Sequence, residues 1–214
     1  MQSKIDHSIF ICRLVTERED LVIAVATDDM VITGNLDHAV TRFKHEIKKV
    51  YKITDLGNLR WFLGMEIKCD HAMCTISINQ CVYIKGMAMK FRLTNAKPVY
   101  IPMLPGKTLS CDQSPSTPAE SQEMSKIPYG NMIGHVLWPV MISCPDAIFA
   151  TVILSQFVLN PAPAHVKALK HLISYLYTTQ TVGSCSVART QKFLCIQTPI
   201  MHNRPIATQS WDTA

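Results

Sequence analysis

The chain has 214 residues, of which 48% are hydrophobic and 17% charged, with a formal net charge of +5. It is long enough to bury a core in one or two domains. Its eight cysteines include no CxxC pair, which excludes a typical thiolate zinc site and favours free thiols. The longest apolar stretch, Ala147 to Leu159, is too short and too interrupted to span a membrane. With no signal peptide in view, we expect an intracellular protein of the cytoplasm or nucleus, not a secreted one.

Two segments rich in valine and isoleucine surround a pair of acids near the start of the chain. Leu21–Ala26 and Met30–Thr33 predict two strands, joined by a turn at Thr27-Asp28-Asp29. Asn35 then predicts the N-cap of a helix. The apolar face of that helix consists of Leu36, Val40, Phe43, Ile47 and Val50.

A second hairpin and a second helix are predicted next. Asp55–Gln80 contains apolar residues that alternate with polar ones, a period typical of a strand. A helix should run from about Gln80 to Arg92, and Gly86 inside it should cost about 1 kcal/mol relative to alanine. The residues of this helix that should face the core are Val82 or Tyr83, Met87 and Phe91.

The second half of the chain predicts helices after a long connection. Residues 95–126 lack periodicity and contain several prolines, so we expect irregular, extended chain there. Three apolar helices should follow, at about Tyr129–Ile142, Asp146–Leu159 and Ala164–Thr178. The last should present one apolar face made of Val166, Leu169, Ile173 and Leu176. Beyond Gly183 the pattern is lost, and we expect a loosely ordered tail.

The adjacent acids at the first hairpin tip have two interpretations. Asp28 and Asp29 are hard oxygen donors, and Mg²⁺ prefers one or two protein carboxylates together with phosphate oxygens and water. Aspartate is also common in turns, because it tolerates turn geometry and hydrogen-bonds its own backbone. Spacing alone favours the turn. A two-metal site would in any case need a further carboxylate from a neighbouring strand.

The order of several segments resembles the C-terminal half of a copia-type retrotransposon reverse transcriptase, over roughly Ser3 to Gly183. "VATDDMVITGN" resembles the palm hairpin of that family, and "YKITDLGNLRWFLGMEI" the segment that contains the hairpin gripping the primer strand. "YIKGMAMKFRLTNAKPVYIPM" is similar to the first thumb helix and its exit. Two later segments are similar to the remaining thumb and connecting helices of the family, namely "SPSTPAESQEMSKIPYGNMIG" and "SCPDAIFATVILSQFVLNPAPAHVKALKHLISYL".

The resemblance implies roles for particular residues. Asp28 would be the catalytic metal ligand for Mg²⁺, with Asp29 as its catalytic helper. The primer-grip residues would be Trp61, Phe62, Leu63 and Gly64, although each aromatic could equally be part of the core. Lys85, Lys90 and Arg92 would face the backbone of an RNA or DNA template–primer duplex from the thumb, where phosphate contacts position without reading sequence. A merely solvated helix face is the alternative for these three.

The fold class implied is α+β. A partial polymerase palm of two β-hairpins and a helix is followed by a mainly helical thumb and connection. The predicted divisions are residues 1–93 for the partial palm and first thumb helix, 94–126 for the Pro/Ser-rich connection, 127–183 for the helical region, and 184–214 for an unassigned tail.

The resemblance also has departures that bear on activity. The family's fingers and first catalytic Asp have no counterpart before Asp28, so we expect a truncated RNA-directed DNA polymerase that is inactive alone, with open strand edges. Pro139 stands inside a predicted helix, where proline costs about 3 kcal/mol. Alternatives are a non-catalytic nucleic-acid-binding or assembly module that associates with other retroelement polymerase chains, and complementation by a separate chain that supplies the fingers. No membrane partner is expected.

Overall fold

The computed structural model describes residues 1–14, 19–27, 29–70, 72–73, 75–106, 108–181, 184–187 and 196–199. These residues form an α+β structure, as predicted. The strands are β1 (Ile9–Leu14), β2 (Glu19–Ala26), β3 (Asp29–Gly34), β4 (Trp61–Phe62), β5 (Met65–Asp70), β6 (Thr75–Asn79), β7 (Ser184–Val187) and β8 (Ile196–Pro199). The helices are α1 (Asp37–Val50), α2 (Cys81–Lys90), α3 (Pro118–Met124), α4 (Tyr129–Ile142), α5 (Ile148–Ser155) and α6 (Pro163–Thr178). No helix in these ranges is long and apolar enough to cross a membrane.

The strands form two four-stranded antiparallel sheets, in the orders β1-β2-β3-β8 and β4-β5-β6-β7. The chain divides into two compact units. Unit 1 contains Met1–Leu63, Ile67–Ile76 and Val187–Ala214, and unit 2 contains Gly64–Glu66 and Ser77–Ser186. Each unit has its own cluster of buried apolar side chains.

The core of unit 1 lies between the first sheet and α1. Alternate residues of β2 and β3 point into this core, which consists of Leu21, Ile23, Met30, Ile32, Ala39 and Val40. Gly34 allows α1 to approach the sheet, because a Cβ there would lie 3.0 Å from Val40 Cγ2 and 3.2 Å from the Asp20 carbonyl oxygen. Val50 is wrongly predicted as core, since it is 73% exposed at the end of the helix.

The entry to α1 differs from the prediction. Leu36, not Asn35, is the N-cap residue, and its side chain makes no capping hydrogen bond. Asn35 instead joins the two ends of the hairpin, since its Oδ1 accepts a hydrogen bond of 2.9 Å from the Asp20 N–H. In the middle of α1, Lys44 Nζ lies 2.6 Å from Asp55 Oδ2 in a mostly buried ion pair.

The tail contributes to the first sheet, which corrects two expectations. β8 pairs antiparallel with β3, with Ile196 opposite Ile32 and Pro199 opposite Asp29, and β1 pairs with β2 on the other side of the hairpin. Neither hairpin strand therefore has an open edge along these pairings. β7 and β8 are strands in a segment for which we predicted no regular structure; the other residues beyond Thr181 lie outside the described ones.

The core of unit 2 is helical. Val166, Leu169, Ile173 and Leu176 of α6 are all buried, which confirms the predicted face. The boundaries of α4 also agree with the prediction, and the helix continues through Pro139. α5 is shorter than predicted at both ends: a single 3-10 turn at Pro145–Ala147 precedes it, and it ends at Ser155 instead of Leu159.

The long connection contains a helix that periodicity did not reveal. α3 begins with a capping box, in which Glu120 N donates to Thr117 Oγ1 over 3.3 Å and Thr117 N donates to Glu120 Oε2 over 3.4 Å. Pro118 occupies its first turn, as helix starts prefer. The Thr-x-x-Glu spacing is a recognised start signal, so the sequence held the information.

Candidate nucleic-acid interface and metal ligands

The first hairpin has a two-residue turn between β2 and β3. Ala26 and Asp29 are opposite each other across β2 and β3, so only Thr27 and Asp28 join the strands. Thr27 has a left-handed backbone with φ of 51°, the conformation that two-residue hairpin turns demand. Asp29 is thus the first residue of β3, half-buried and held on both sides by strand pairing. The prediction for Asp28 lies outside the described residues.

The donor chemistry at this tip is that of a hard-cation ligand. The Asp29 carboxylate stands on a rigid strand end, and sequence places a second carboxylate directly before it. Within the described ranges, no group of three or more His, Cys, Asp or Glu side chains is arranged to hold a metal ion. Such a pair fits Mg²⁺ bound mainly through water and substrate phosphates, which needs one or two protein carboxylates.

The second hairpin has an exposed tip. β4 and β5 are joined by Leu63 and Gly64, whose φ values of 51° and 76° are both positive, as a type I′ turn requires. Trp61 is 41% exposed, so the core interpretation is wrong for this aromatic, whereas Phe62 is half-buried; Leu63 at the turn is 45% exposed. A leucine in the left-handed region is strained, and Leu63 adopts this conformation at a largely exposed tip.

One face of α2 is open to solvent. Val82 is 63% and Met89 68% exposed, and Lys85 and Gly86 are exposed beside them at helical spacing. Val82 is therefore not a core residue; Ile84, Met87 and Ala88 form the buried face. A Cβ added at Gly86 would meet no atom within 4 Å, so the glycine leaves this face flat. A ligand could approach the backbone closely here.

Arg92 lies just beyond α2, not within it as predicted. The N–H of Leu93 donates to the Ala88 carbonyl over 2.8 Å, and the N–H of Arg92 donates to the Met89 carbonyl over 3.1 Å. This pair of bonds is a Schellman motif, whose C′ position is left-handed and usually glycine. Arg92 occupies it with φ of 58° and an exposed side chain. The sequence therefore places a cation where glycine would cost less.

Lys90 is anchored to α4 by a histidine. Its Nζ lies 3.1 Å from His135 Nε2, and Tyr83 Oη lies 3.0 Å from His135 Nδ1. Lysine can only donate, so Nε2 accepts and the proton of the neutral ring sits on Nδ1, facing the Tyr83 oxygen. Burial, followed by the charge of Lys90, lowers the pKa of His135, which agrees with this neutral form.

The hydrogen bonding around His135 also explains how α4 accommodates Pro139. Proline has no N–H, so it cannot bond the carbonyl four residues earlier, which is that of His135. Tyr83 Oη donates to this carbonyl instead, over 3.2 Å. Pro139 is buried, and the helix continues past it. The proline is thus compensated by α2 rather than being simple helix damage, a role for Tyr83 that sequence reasoning missed.

Comparison with known proteins agrees with the family resemblance of the sequence. The family model described as reverse transcriptase (RNA-dependent DNA polymerase) matches residues 1–105. A retrovirus-related Pol polyprotein from transposon TNT 1-94 of Nicotiana tabacum is 29% identical over 79% of this chain, which spans 13% of that polyprotein. The Pol polyprotein from transposon RE1 of Arabidopsis thaliana is 27% identical over 83% of this chain and 11% of its own length.

A shorter relative is also similar. A putative transposon Ty5-1 protein of Saccharomyces cerevisiae is 27% identical over 76% of this chain, and the chain spans 50% of it. No solved structure matches the chain significantly. The family model on its first 105 residues and the transposon proteins similar along most of its length support the identification of the chain as a copia-type reverse transcriptase fragment.

Proposed function

We propose that this segment of a copia-type reverse transcriptase holds an RNA or DNA template–primer duplex and supplies Asp28 and Asp29 to the divalent-metal site. Under this proposal, β2, β3 and α1 are part of the palm, and α2 is the first thumb helix. The observation that carries the proposal is the exposed face of α2, which bears Lys85 beside the open space over Gly86, with Arg92 exposed just beyond the end of the helix.

The cations on α2 suit phosphate contacts. Lys85 lies on α2 and Arg92 lies just beyond its C-terminal end, and both side chains are exposed. Phosphate contacts of this kind position a duplex without reading its sequence. Lys90 differs from the other two, because His135 already accepts a hydrogen bond from it. We therefore assign Lys85 and Arg92 the larger share of the phosphate binding.

The second hairpin is proposed as the primer grip. Its exposed Trp61 and Leu63 stand at the tip of a turn whose two positive φ values fix the backbone. An aromatic side chain at a rigid tip can pack on a sugar or base of the primer strand. Trp61→Ala should weaken duplex binding several-fold, whereas Trp138→Ala, which removes a tryptophan of similar exposure elsewhere, should not.

The metal proposal rests on Asp28 and Asp29. Bound Mg²⁺ would stabilise the charge on the attacking and leaving oxygens in nucleotidyl transfer. The two carboxylates of this chain would neutralise and orient the cation. Binding of Mn²⁺, followed by electron paramagnetic resonance in the presence of nucleotide, should weaken in Asp28→Asn and Asp29→Asn and remain unchanged in Asp37→Asn. Equal binding in all three variants would remove the assignment.

Fluorescence anisotropy with a labelled RNA–DNA duplex tests the duplex proposal. The double variant Lys85→Gln/Arg92→Gln should bind about tenfold or more weakly at low salt, because two charged contacts are lost. The control variant Lys126→Gln removes an exposed lysine outside the proposed face and should bind normally. Absence of duplex binding by the unaltered chain at low salt, or equal affinity in all variants, would refute the proposal.

A second function, assembly with another polymerase chain, is favoured by a separate observation. Met141 of α4 and Phe149 and Val152 of α5 are 69%, 71% and 52% exposed, which is unusual for large apolar side chains. Sedimentation velocity tests this candidate. Self-association that disappears in Phe149→Ser would support it. A monomer at all concentrations would exclude assembly and leave duplex binding as the one proposed function.

A further inference from the structure

Unit 2 contains a cavity of about 490 Å³ between the connection and α6. One wall is formed by residues between Ala96 and Gln113, the other by residues of α6 between Ala164 and Ser174, and Leu154 of α5 also lines it. The volume lies in the range of sites for small organic ligands, about 300–1,000 Å³. None of the residues that the reverse transcriptase resemblance singled out lines this cavity.

Hydrogen bonds hold the connection in place over α6. The N–H of Val99 donates to Thr178 Oγ1 over 3.1 Å, and His171 Nε2 donates to the Ile101 carbonyl over 3.0 Å. Further along, Ser114 Oγ donates to the Asn160 carbonyl over 2.8 Å. Anchors within and just after the lining segment make the cavity a formed feature of the unit. A ligand would not have to order the connection in order to bind.

The lining separates into an apolar interior and a cationic rim. The apolar part includes Val99, Met103, Leu109, Leu154 and Ala168. The cations are Lys97, Lys167 and Lys170, all exposed, and among the described lining residues none is acidic. No ion pair of these three lysines occurs in the described part of the chain. The charge is therefore available to an anion at the mouth of an apolar space.

We propose that this cavity binds an amphipathic anion, namely a medium-chain alkyl carboxylate whose chain enters the apolar interior and whose head meets the lysines. Burial of the chain supplies about 0.8 kcal/mol for each CH₂ removed from water. A nucleotide fits less well, because no Phe, Tyr or Trp is found among the described lining residues to stack on a base. The lysine ammonium groups orient the ligand with its carboxylate at the mouth of the cavity. A neutral ligand of the same length gains no affinity from them.

Titration calorimetry of the full chain with octanoate and with 1-octanol tests this proposal, because the two probes share an alkyl chain and differ in charge. Octanoate should bind about tenfold or more tightly than 1-octanol. Lys167→Gln/Lys170→Gln should abolish this preference without weakening 1-octanol. The control Lys126→Gln should preserve it. Raising the salt concentration should weaken only octanoate.

A filling variant locates the binding site independently of charge. Ala164 lines the cavity and is exposed, so Ala164→Trp can be introduced without disturbing the buried face of α6. It should block both probes while far-ultraviolet circular dichroism stays unchanged. Equal affinity for the two probes, no binding of octanoate, or normal octanoate binding in folded Ala164→Trp would each overturn the proposal.

Discussion

Removal of the Tyr83 hydroxyl should destabilise unit 2 through the carbonyl that Pro139 leaves without a helical partner. Tyr83→Phe deletes the 3.2 Å bond to the His135 carbonyl and the 3.0 Å contact with His135 Nδ1. Both groups are partly buried, and a polar group left without a partner costs about 1–3 kcal/mol. We therefore expect the free energy of unfolding to fall by that amount.

The same carbonyl can be satisfied in another way, which makes the reasoning testable in a double-mutant cycle. In Pro139→Ala the new N–H of residue 139 can donate to His135 O within the helix. The Tyr83→Phe substitution should then cost about 1 kcal/mol less than it does beside Pro139, since one of its two lost contacts is replaced. A single variant would not distinguish lost hydrogen bonding from altered packing, whereas the coupling between the two sites does.

Urea unfolding followed by far-ultraviolet circular dichroism measures the four chains of this cycle. Tyr177→Phe is the matched control, because Tyr177 packs partly buried against the same core and its hydroxyl makes no hydrogen bond in the described part of the chain. That control should change stability by less than about 0.5 kcal/mol. An equal cost of Tyr83→Phe with and without Pro139 would refute the account of how α4 accommodates its proline.

Gly34→Ala should destabilise unit 1 by about 1–3 kcal/mol in denaturant unfolding, because its Cβ would be crowded at 3.0 Å from Val40 Cγ2 and 3.2 Å from the Asp20 carbonyl oxygen, whereas Gly86→Ala should stabilise α2 by about 1 kcal/mol. Arg92→Gly should raise the unfolding midpoint, with a gain of about 1 kcal/mol from relief of the left-handed backbone, and Arg92→Ala should not. Burial raises the pKa of Asp55, but hydrogen bonds from Lys44 and Gly57 outweigh it and hold that pKa below its ordinary value of 3.8. The ionised carboxylate therefore stabilises the fold above pH 3.8, and this stabilisation is lost as the pH falls through the lower pKa of the folded state. Lys44→Met should therefore flatten the acid limb of a stability–pH curve, and an unchanged limb would contradict this assignment.

Local periodicity predicted the elements whose burial is one-sided. The buried face of α6 follows a period of 3.6 through Val166, Leu169 and Ile173, and the alternation in β2 places Leu21 and Ile23 in the core. The assignment in α6 succeeds because a helix with one apolar face has a single favourable orientation, whereas Leu21 and Ile23 lie in an almost continuous apolar run that predicted a strand without predicting its buried face. The sequence left Val82 and Tyr83 as alternatives for the buried face of α2, because the face that bears Lys85 mixes apolar and basic residues; the structure exposes Val82 and half-buries Tyr83.

The features that could not be predicted depend on contacts between distant residues. The pairing of β8 with β3 joins Ile196 to Ile32, and no local pattern announces such a partner. The bond from Tyr83 to His135 likewise requires α2 and α4 to be adjacent. The position of Pro139 in a helix predicts that the His135 carbonyl needs another donor, since proline has no N–H for the residue four positions earlier. It does not predict which side chain provides that donor.

The salt dependence of duplex binding tests the central claim most directly. If Lys85 and Arg92 contact phosphates, a plot of log affinity against log salt for an RNA–DNA duplex should be steep and linear. Each cation removed should reduce the slope by about one, so Lys85→Gln/Arg92→Gln should lower it by about two, and Lys126→Gln should leave it unchanged. A salt-independent affinity, or the same slope in all three chains, would contradict the account.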